Sequence, residues 1–383
     1  MNYSHAPTGR LGHAIILKRK VMAKSTLENL IKKAELNETH SSNLLEEETY
    51  SAKRERVAVI PKNHHIIYDK SVVTREYDKE VSGKRKKILR DLLEEPNHKP
   101  IASFENEIID DLDKLGKKFG NFSDVINLCK NALWLGSLEA PKLFSIPPLL
   151  LSGPPGVGKT RFISELAAVL GTDFFSLDFS TVSSSFVVAG GASSWSESKP
   201  GFVSNSMRNS RYANPIIMLD ELDKASVDSR HDPMGPMYSL LEKHTAKRFV
   251  DEYLEIPFDL SSVIWIASAN YPERIPQPIR SRMLEIPISN PTSEQSKTII
   301  SSIYKELLLN PWGKHFSVEL DTKVIEKLSK LPPRIARIQL ENAMANAVRR
   351  SKAKVRPVVI LPKDVLISST KPKSKGMGFL AEI

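Results

Sequence analysis

The stretch "GPPGVGKT" at residues 153–160 decides the fold class of this chain. It fits the pattern G-x-x-x-x-G-K-[ST], in which glycines let the backbone wrap a phosphate and the lysine reaches the β- and γ-phosphates. An apolar run, "PPLLLSG" (147–153), precedes it, and a helical pattern from about Lys159 to Leu170 follows it. The free N–H groups at the start of such a helix favour an anion. This order of strand, loop and helix predicts a phosphate-binding site, with a glycine-rich turn that binds no ligand as the alternative.

The second part of the predicted site lies in "PIIMLDELDK" (215–224), where an apolar strand ends in Asp220 and Glu221. A carboxylate at the end of a buried strand suits Mg²⁺, a hard cation that prefers oxygen ligands. We therefore assign Mg²⁺ to Asp220 and to the hydroxyl of Thr160. Glu221 is predicted to polarise a water molecule for attack on the γ-phosphate. A solvated strand end is the alternative for this acidic pair.

A third polar group ends the strand "VIWIASAN" (263–270), where the amide of Asn270 is predicted to orient the attacking water beside Asp220. A turn residue at the end of the strand is the alternative for Asn270. Asp223 and Lys224 follow the acidic pair, and we interpret them as a turn residue and a surface residue.

The alternation of strand and helix patterns after about Phe104 predicts a parallel α/β sheet. After Asn290 the strand patterns stop, and amphipathic helices are predicted at about 293–309, 321–330 and 335–352. The predicted divisions are a basic N-terminal region of mixed α/β character (1–104), a nucleotide-binding core (105–289), a helical domain (290–370) and a basic tail (371–383).

The chain carries a formal net charge of +10 and has an isoelectric point near 9.4. Much of the excess positive charge lies in "LKRK" (17–20), "AKRER" (52–56) and "SGKRKK" (82–87). Such runs bind nucleic acid through phosphate charge, or they form a solvated surface that keeps a protein in solution. Because no aromatic residues alternate with these lysines as stacking platforms, we favour the solvated surface.

The composition also excludes some classes of protein. A single cysteine, Cys129, rules out an internal disulfide framework and is typical of a reducing compartment. The longest apolar runs, such as "IPPLLL" (146–151), are too short to span a bilayer, and Met1 is not followed by the apolar core of a signal peptide. We therefore expect a cytoplasmic protein that has no membrane partner.

These motifs together resemble those of AAA+ ATPases, and in particular the ATPase module of Lon proteases. The resemblance covers roughly residues 105–355 and is strongest in "FVDEYLEIPFDLSSVIWIASAN" (249–270) and "IPQPIRSRMLEIPI" (275–288), which follow the Lon order. It implies a P-loop NTPase fold in which the helical domain is a lid over the nucleotide. It also implies an ATPase that uses ATP and Mg²⁺ in a homo-oligomeric ring, normally a hexamer.

The resemblance gives a name to each element of the predicted nucleotide site. Asp220 and Glu221 match the Walker B pair, and Asn270 matches sensor 1. The Walker A loop comprises Gly153, Pro154, Pro155, Gly156, Val157, Gly158, Lys159 and Thr160.

The resemblance also implies roles for two arginines. Arg282, in "SRMLE" (281–285), matches the arginine finger, which acts on the nucleotide of a neighbouring subunit. Arg337 matches the sensor 2 arginine of the lid, with Arg334 as the alternative.

Two features depart from the Lon pattern. Lon continues into a Ser-Lys peptidase domain, but the roughly thirty residues after the last predicted lid helix contain no serine–lysine motif, and we interpret "PKD" (362–364) as a turn at the end of the lid. In "GGASSWSESKPG" (190–201), Trp195 takes the aromatic position of the Lon pore loop, while Ser196 replaces its aliphatic neighbour. We therefore expect no intrinsic protease activity and a loop that grips substrate through Trp195. Burial in a structural role is the alternative for this indole.

Three functions remain open from the sequence. The favoured one is an ATP-driven ring that remodels or unfolds a protein through its pore and releases it or passes it to a separate protease or effector. The second is a nucleic-acid-associated ATPase that engages DNA or RNA through the basic N-terminal region or Trp195. The third is an ATP-controlled scaffold or sensor whose hydrolysis resets an assembly.

Overall fold

The computed structural model describes residues 60–366, except 82, 106, 139, 141, 195–197, 226–230, 353 and 355. From Pro61 onward the described residues form one compact unit. Trp195 and Ser196 lie outside the described residues, as do the basic runs at 17–20 and 52–56. In the part of the chain that the structure describes, no helix combines the length and the apolar character that crossing a membrane requires.

The first described elements are two short strands and two helices. They are β1 (His64–Ile66), α1 (Lys70–Lys79), α2 (Lys84–Glu94) and β2 (His98–Pro100), with β1 and β2 paired antiparallel. The carboxylate of Asp69 accepts a hydrogen bond from the N–H of Ser71 and so caps α1. Val73 of α1 and Leu89 of α2 share a hydrophobic cluster with Ile217 of the central sheet. Both helices therefore pack on the core, and the boundary between 104 and 105 stays a prediction.

The core alternates helices and strands, as the sequence predicts. Its helices are α3 (Ile108–Lys118), α4 (Ser123–Gly136), α5 (Lys159–Val169), α6 (Ser185–Ala189), α7 (Phe202–Asn209), α8 (Met237–Leu240), α9 (Lys243–Ala246) and α10 (Gln277–Arg280). Its strands are β3 (Leu149–Ser152), β4 (Phe174–Asp178), β5 (Ile216–Asp220), β6 (Phe249–Asp251), β7 (Ile256–Phe258), β8 (Ile264–Ala269) and β9 (Leu284–Pro287).

Five of these strands form a parallel sheet in the order β4-β5-β8-β3-β9, while β6 and β7 form a separate antiparallel hairpin. Leu150 of β3 belongs to one hydrophobic cluster and its neighbours Leu149 and Leu151 to another, so both faces of the sheet are covered. Burial on both faces explains why these strands form continuous apolar runs. Because the strands are parallel, the residues that end β3, β5 and β8 meet at one edge, where ligands of such sheets bind.

The C-terminal part is helical, with α11 (Ser293–Leu308), α12 (Thr322–Leu328) and α13 (Pro333–Ser351). A capping box starts α11, because Thr292 and Gln295 each accept a hydrogen bond from the other's backbone N–H. The buried faces of the three helices form a hydrophobic cluster of their own. The "PKD" segment forms the predicted turn, a 3₁₀ turn over Pro362–Asp364.

Candidate nucleotide-binding site

A cavity of about 510 Å³ lies between the carboxyl edge of the sheet and the C-terminal helices. Gly153 and Pro154, at the start of the phosphate loop, line an adjoining cavity. The main cavity gathers most of the residues that the sequence predicts for the site. It is lined from the core by Pro155, Gly156, Val157, Gly158, Lys159, Thr160, Asp220, Glu221, Ser268 and Asn270, and from the C-terminal helices by Ile299, Ile303, Glu306, Arg334 and Arg337.

The backbone of the loop 153–160 is shaped by its glycines. Gly156 and Gly158 have φ angles of +82° and +101°, in the left-handed region that other residues disfavour. A Cβ at Gly153 would lie 2.1 Å from the carbonyl oxygen of Ile288, so only glycine fits there. α5 begins at Lys159, and the free N–H groups of its first turn directly follow the loop. The loop therefore fits an anionic phosphate chain.

The ammonium group of Lys159 is fixed at this loop by three acceptors. Its Nζ donates to the carbonyl oxygens of Gly153 at 2.6 Å and Pro154 at 3.2 Å, and to Oδ1 of Asn270 at 3.0 Å. Burial lowers the pKa of Lys159, and the negative charges of Asp220, Asp223 and Glu221 oppose this shift. The hydrogen bond between Lys159 and Asn270 joins the predicted Walker A lysine to the predicted sensor 1 amide.

Asp220 lies where an Mg²⁺ ligand is predicted. Its Oδ2 accepts a hydrogen bond of 3.0 Å from the hydroxyl of Thr160, so the two predicted ligands are adjacent. A hydroxyl and a carboxylate are oxygen donors of the kind that Mg²⁺ prefers. With this pair as protein ligands, the ion would take its remaining ligands from nucleotide and water, which is the usual arrangement for Mg²⁺ at phosphates. The residues present therefore fit Mg²⁺.

Ser268 holds the acidic pair in place. Its hydroxyl donates to Oδ1 of Asp220 at 2.5 Å and accepts from the N–H of Glu221 at 3.0 Å. Glu221 has a φ of +51°, a left-handed conformation that costs a non-glycine residue of the order of 1–3 kcal/mol and persists only when neighbours enforce it. Ser268 is 1% exposed within β8. One buried hydroxyl thus fixes both the side chain of Asp220 and the backbone of Glu221.

Asp223 lies in a 3₁₀ turn over Leu222–Lys224, as predicted, and Lys224 is exposed as predicted, but the side chain of Asp223 is buried. Asp223 is only 6% exposed. Its carboxylate accepts hydrogen bonds of 3.1 Å from the N–H groups of Asn270 and Tyr271. It therefore fixes the end of β8 and, with it, the position of the Asn270 amide.

The two candidate arginines of α13 have different surroundings. Arg337 donates to Oε1 of Glu306 at 2.9 Å, while Arg161 of α5 binds the other oxygen of the same carboxylate. Burial raises the pKa of Glu306, but hydrogen bonds from Arg337 and Arg161 outweigh this and leave the pKa below its usual value. Arg334 has no ion pair within the described residues, and its Cβ lies 3.8 Å from the position that a Cβ at Gly156 would take. Arg334 is thus the arginine next to the phosphate loop.

Arg282 does not line the cavity that holds the other predicted residues. It follows α10, where its Nη1 donates to the carbonyl oxygen of Pro278 at 2.5 Å and its Nε lies 2.5 Å from Oε1 of Glu242. Its guanidinium carbon lies 5.7 Å from the centre of the Tyr238 ring. Arg282 therefore lies apart from the other predicted site residues, and its role as a finger stays a prediction.

The sequence of the sheet domain matches the family model "ATPase family associated with various cellular activities (AAA)" over residues 149–289. Residues 149–289 form an AAA ATPase domain. This finding confirms the predicted AAA+ fold and the predicted class of enzyme, an ATPase that binds ATP.

Lon proteases are among the curated proteins that resemble this chain. The Lon protease of Wolbachia pipientis subsp. Culex pipiens is 32% identical over 220 residues, which are 57% of this chain and 27% of that protein. The Lon protease of Halothermothrix orenii is 34% identical over 189 residues, which are 48% of this chain and 24% of that protein. The chain thus spans about a quarter of the length of these relatives. The matches confirm the predicted resemblance of the AAA domain to that of Lon.

A solved structure of an S. cerevisiae Hsp104:casein complex in the extended conformation also matches this chain. The TM-score is 0.55, and the match covers 67% of this chain and 50% of that chain. At 17% sequence identity the match supports the fold of the AAA domain and nothing more.

Sequence reasoning missed two positioning residues of the AAA domain, Ser268 and Asp223. A signal for Ser268 was present, because a hydroxyl inside the otherwise apolar strand "VIWIASA" (263–269) needs a hydrogen-bond partner. Asp223 gave no such signal, since an aspartate after a strand is usually solvated. Its role depends on contacts with residues 47 and 48 positions away.

Proposed function

We propose that this protein is an ATP-driven motor that acts in a hexameric ring of identical subunits to remodel or unfold a protein substrate through the central pore. The observation that carries the proposal is the single cavity in which the phosphate loop, the acidic pair and Asn270 face helices that bear arginines. When a nucleotide binds between a core and a lid, its binding and release are coupled to motion of the lid relative to the core. Such motion is what a motor needs.

The chemistry follows from the placement of the side chains. The loop N–H groups and Lys159 bind the phosphates of ATP, and Glu221 polarises a water molecule that Asn270 helps to orient. The water oxygen forms a bond to the γ-phosphorus as the bond to the bridging oxygen breaks, which yields ADP and phosphate. Thr160 and Asp220 would hold Mg²⁺, which neutralises charge on the phosphates when it is bound.

Two arginines complete the proposed cycle. Arg282 would act as the finger on the nucleotide of the neighbouring subunit, since it lies outside the cavity of its own subunit. Arg334 would be the sensor 2 residue, since it lies beside Gly156 and has no ion pair among the described residues. Arg337 would instead hold the lid to α5 through Glu306 and Arg161.

One observation supports a protein as the substrate. Lon proteases are among the proteins that resemble this chain. In this proposal Trp195 contacts the substrate in the pore.

The chain has no protease activity of its own and works in the cytoplasm, where a separate protease or effector receives the product. The domains run over 1–104, 105–289, 290–370 and a tail at 371–383.

An unfolding assay tests this proposal. A fluorescent protein with an unstructured tail should lose its fluorescence when it is mixed with the full chain, ATP and Mg²⁺. The Glu221→Gln variant is the control, because it should bind ATP without turning it over and so leave the fluorescence intact. Loss of fluorescence at the same rate with this variant, or none with the wild type over a range of tagged proteins, would contradict the proposal.

A further inference from the structure

The hairpin β6–β7, within the Lon-like segment "FVDEYLEIPF" (249–258), centres on a fully buried carboxylate. Asp251 has no exposed surface. Its oxygens accept hydrogen bonds from the N–H groups of Gly201 at 2.8 Å, Tyr253 at 3.0 Å and Leu254 at 2.9 Å, and from the hydroxyl of Ser204. A buried carboxylate without such donors would be strongly destabilising. Asp251 therefore ties the turn of the hairpin to the start of α7.

The same carboxylate closes the base of the loop 190–201. A Cβ at Gly190, which has a φ of +88°, would lie 2.8 Å from Oδ1 of Asp251 and 3.1 Å from the backbone nitrogen of Gly201. Two further contacts draw the ends of the loop together, Gly191 N–H to the Lys199 carbonyl at 3.3 Å and the Ser198 hydroxyl to the Ala192 carbonyl at 2.7 Å. The loop thus starts and ends on one buried anchor.

The helical hairpin α1–α2 contacts the turn of the β6–β7 hairpin through Arg85 of α2. Arg85 is 7% exposed, although it belongs to the basic run 82–87 that the sequence favours as solvated surface. Its Nε donates to the carbonyl oxygen of Tyr253 at 2.8 Å and its Nη2 to that of Leu254 at 2.9 Å. The N–H groups of these same two residues bind Asp251. The turn is therefore held on one side by Asp251 and on the other by Arg85.

Carboxylates of α1 and its end keep the guanidinium of Arg85 in place. Glu80 accepts from Nη1 at 2.6 Å, and the buried Glu76 accepts from Nη2 at 3.2 Å. Four of the five N–H donors of Arg85 are engaged within the protein and the side chain is buried, so it is poorly placed to bind a phosphate. The basic run at 82–87 thus contains a residue that serves the interior of this protein rather than a nucleic acid.

The turn also reaches the loop through Glu255. Glu255 has a φ of +56°, so its backbone is held in a strained conformation. Its Oε1 accepts a hydrogen bond of 2.8 Å from the hydroxyl of Ser193, and its Oε2 lies 3.8 Å from Nη2 of Arg85. Contacts therefore run without a break from α2 through the turn 252–255 to the loop.

We propose that the α1–α2 hairpin is a brace that stiffens the base of the loop 190–201 through Arg85, the turn 252–255 and Asp251. In this proposal the helices α1 and α2, which precede the AAA domain, stabilise the base of the loop that contacts the substrate. Its consequence for substrate work rests on the proposed function, because a loop that pulls on a polypeptide needs a rigid base. The brace itself is a property of the folded chain and can be measured without any substrate.

Amide hydrogen exchange of the full-length chain tests the brace. In Arg85→Ala, peptides that cover 190–201 and 251–255 should exchange about tenfold faster or more, the factor expected when a buried hydrogen-bonded group loses its partner. Lys87→Ala is the matched control, because Lys87 lies in the same basic run and is exposed. Arg85→Lys keeps the charge but not the fork, and it should give an intermediate change if Arg85→Ala does not fold.

The ATPase assay gives the second readout. Arg85→Ala should keep the basal ATPase rate and lose most of the stimulation by an unfolded protein, while Lys87→Ala keeps both. Unchanged exchange at 190–201 in the Arg85 variants, or faster exchange spread evenly over the whole chain, would overturn the brace. A wild type that no protein substrate stimulates would instead overturn the proposed function and leave the exchange result standing.

Discussion

Single residues in this site act mainly by holding other residues. Ser268 is the clearest case, because its hydroxyl bridges Oδ1 of Asp220 and the strained backbone of Glu221. Asp223 does the same for Asn270. The motif residues themselves could be predicted, since "GPPGVGKT" and "LDE" are local patterns with one chemical meaning. Their supports could not, because they lie 47 or 48 positions away in sequence and become neighbours only when the strands pair.

Ser268→Ala should lower kcat by about 10-fold to 100-fold, because it removes the hydroxyl that holds both Oδ1 of Asp220 and the N–H of Glu221 and leaves these two groups only their 3.2 Å contact with each other, at a cost of about 1–3 kcal/mol. The Mg²⁺ concentration for half-maximal activity should rise as well, since Asp220 loses its fixed orientation. Ser268→Thr keeps the hydroxyl and should restore most of the activity. Titration of ATPase activity with Mg²⁺ measures both effects. An alanine variant with a normal Mg²⁺ requirement would show that Ser268 only fills space.

A comparison of Arg334→Ala with Arg337→Ala separates the two candidates for sensor 2. We expect the Arg334 variant to lose about 100-fold in kcat, as when one donor to a developing charge is removed. The Arg337 variant should lose less, because its guanidinium is engaged with Glu306. Steady-state ATPase rates at saturating ATP decide between them. The reverse order of losses would restore Arg337 to the role that the sequence favoured.

Among the elements, the strength of the local hydrophobic pattern decided what the sequence could reveal. The buried strands β3, β5 and β8 and the helices α5, α11 and α13 follow the predicted runs within a few residues. The hairpin β6–β7 was not predicted, because strands of three residues carry too little periodicity. α1 was not predicted either, since "KSVVTREYDK" (70–79) buries only Val73 and Glu76. Tertiary contacts rather than local pattern stabilise these short elements.

The turn that ends the helical lid gives a test at this scale. Asp364 is 4% exposed, and its two oxygens accept hydrogen bonds from Nε of Arg350 at 2.9 Å and from its Nη2 at 3.0 Å. Burial raises the pKa of Asp364, but the bonds from Arg350 and from the N–H of Leu361 outweigh it and hold the pKa below the usual 3.8. The charged form is therefore favoured in the folded state, and its stabilisation is present above that pH.

Asp364→Asn should accordingly lower the urea midpoint of the lid at neutral pH. The gap between wild type and variant should begin to close as the pH falls below about 4, where the carboxylate becomes protonated in the unfolded chain, and should vanish only as the pH falls through the lower pKa of the folded state. Urea unfolding of both proteins followed by circular dichroism between pH 7 and pH 3 measures the gap. A gap that stays constant across this range would mean that the charge of Asp364 contributes nothing.

At the scale of the whole molecule, the sequence predicted the domains better than the long-range contacts between segments. The family match over 149–289 confirms the AAA domain, and the matching Lon proteases confirm its resemblance to Lon. The contact of Arg85 with Tyr253 joins residues 168 positions apart and runs against the composition of its own segment, where a lysine- and arginine-rich run indicates solvent. Long-range contacts of this kind leave no mark in a single sequence, since each partner looks ordinary in its own neighbourhood.

The proposed ring predicts that two different inactive variants restore each other's activity when they are mixed. Lys159→Ala should be inactive because it cannot bind the phosphates, and Arg282→Ala because it cannot serve its neighbour. A mixed ring places an intact Arg282 next to an intact Lys159 at some interfaces, so mixing the two variants should recover part of the ATPase activity. Rates measured over a series of mixing ratios should peak near equal amounts. A flat, inactive series would count against an arginine that acts between subunits.

Stimulation of the steady-state ATPase rate tests the central claim most directly. The wild-type chain is assayed with no addition, with an unfolded protein, and with single-stranded DNA or RNA, each at about 150 mM salt, where long-range charge attraction is screened. An ATP-driven protein remodeller should be stimulated by the unfolded protein and not by the nucleic acids. Stimulation by nucleic acid alone, lost as the salt concentration rises, would contradict the account.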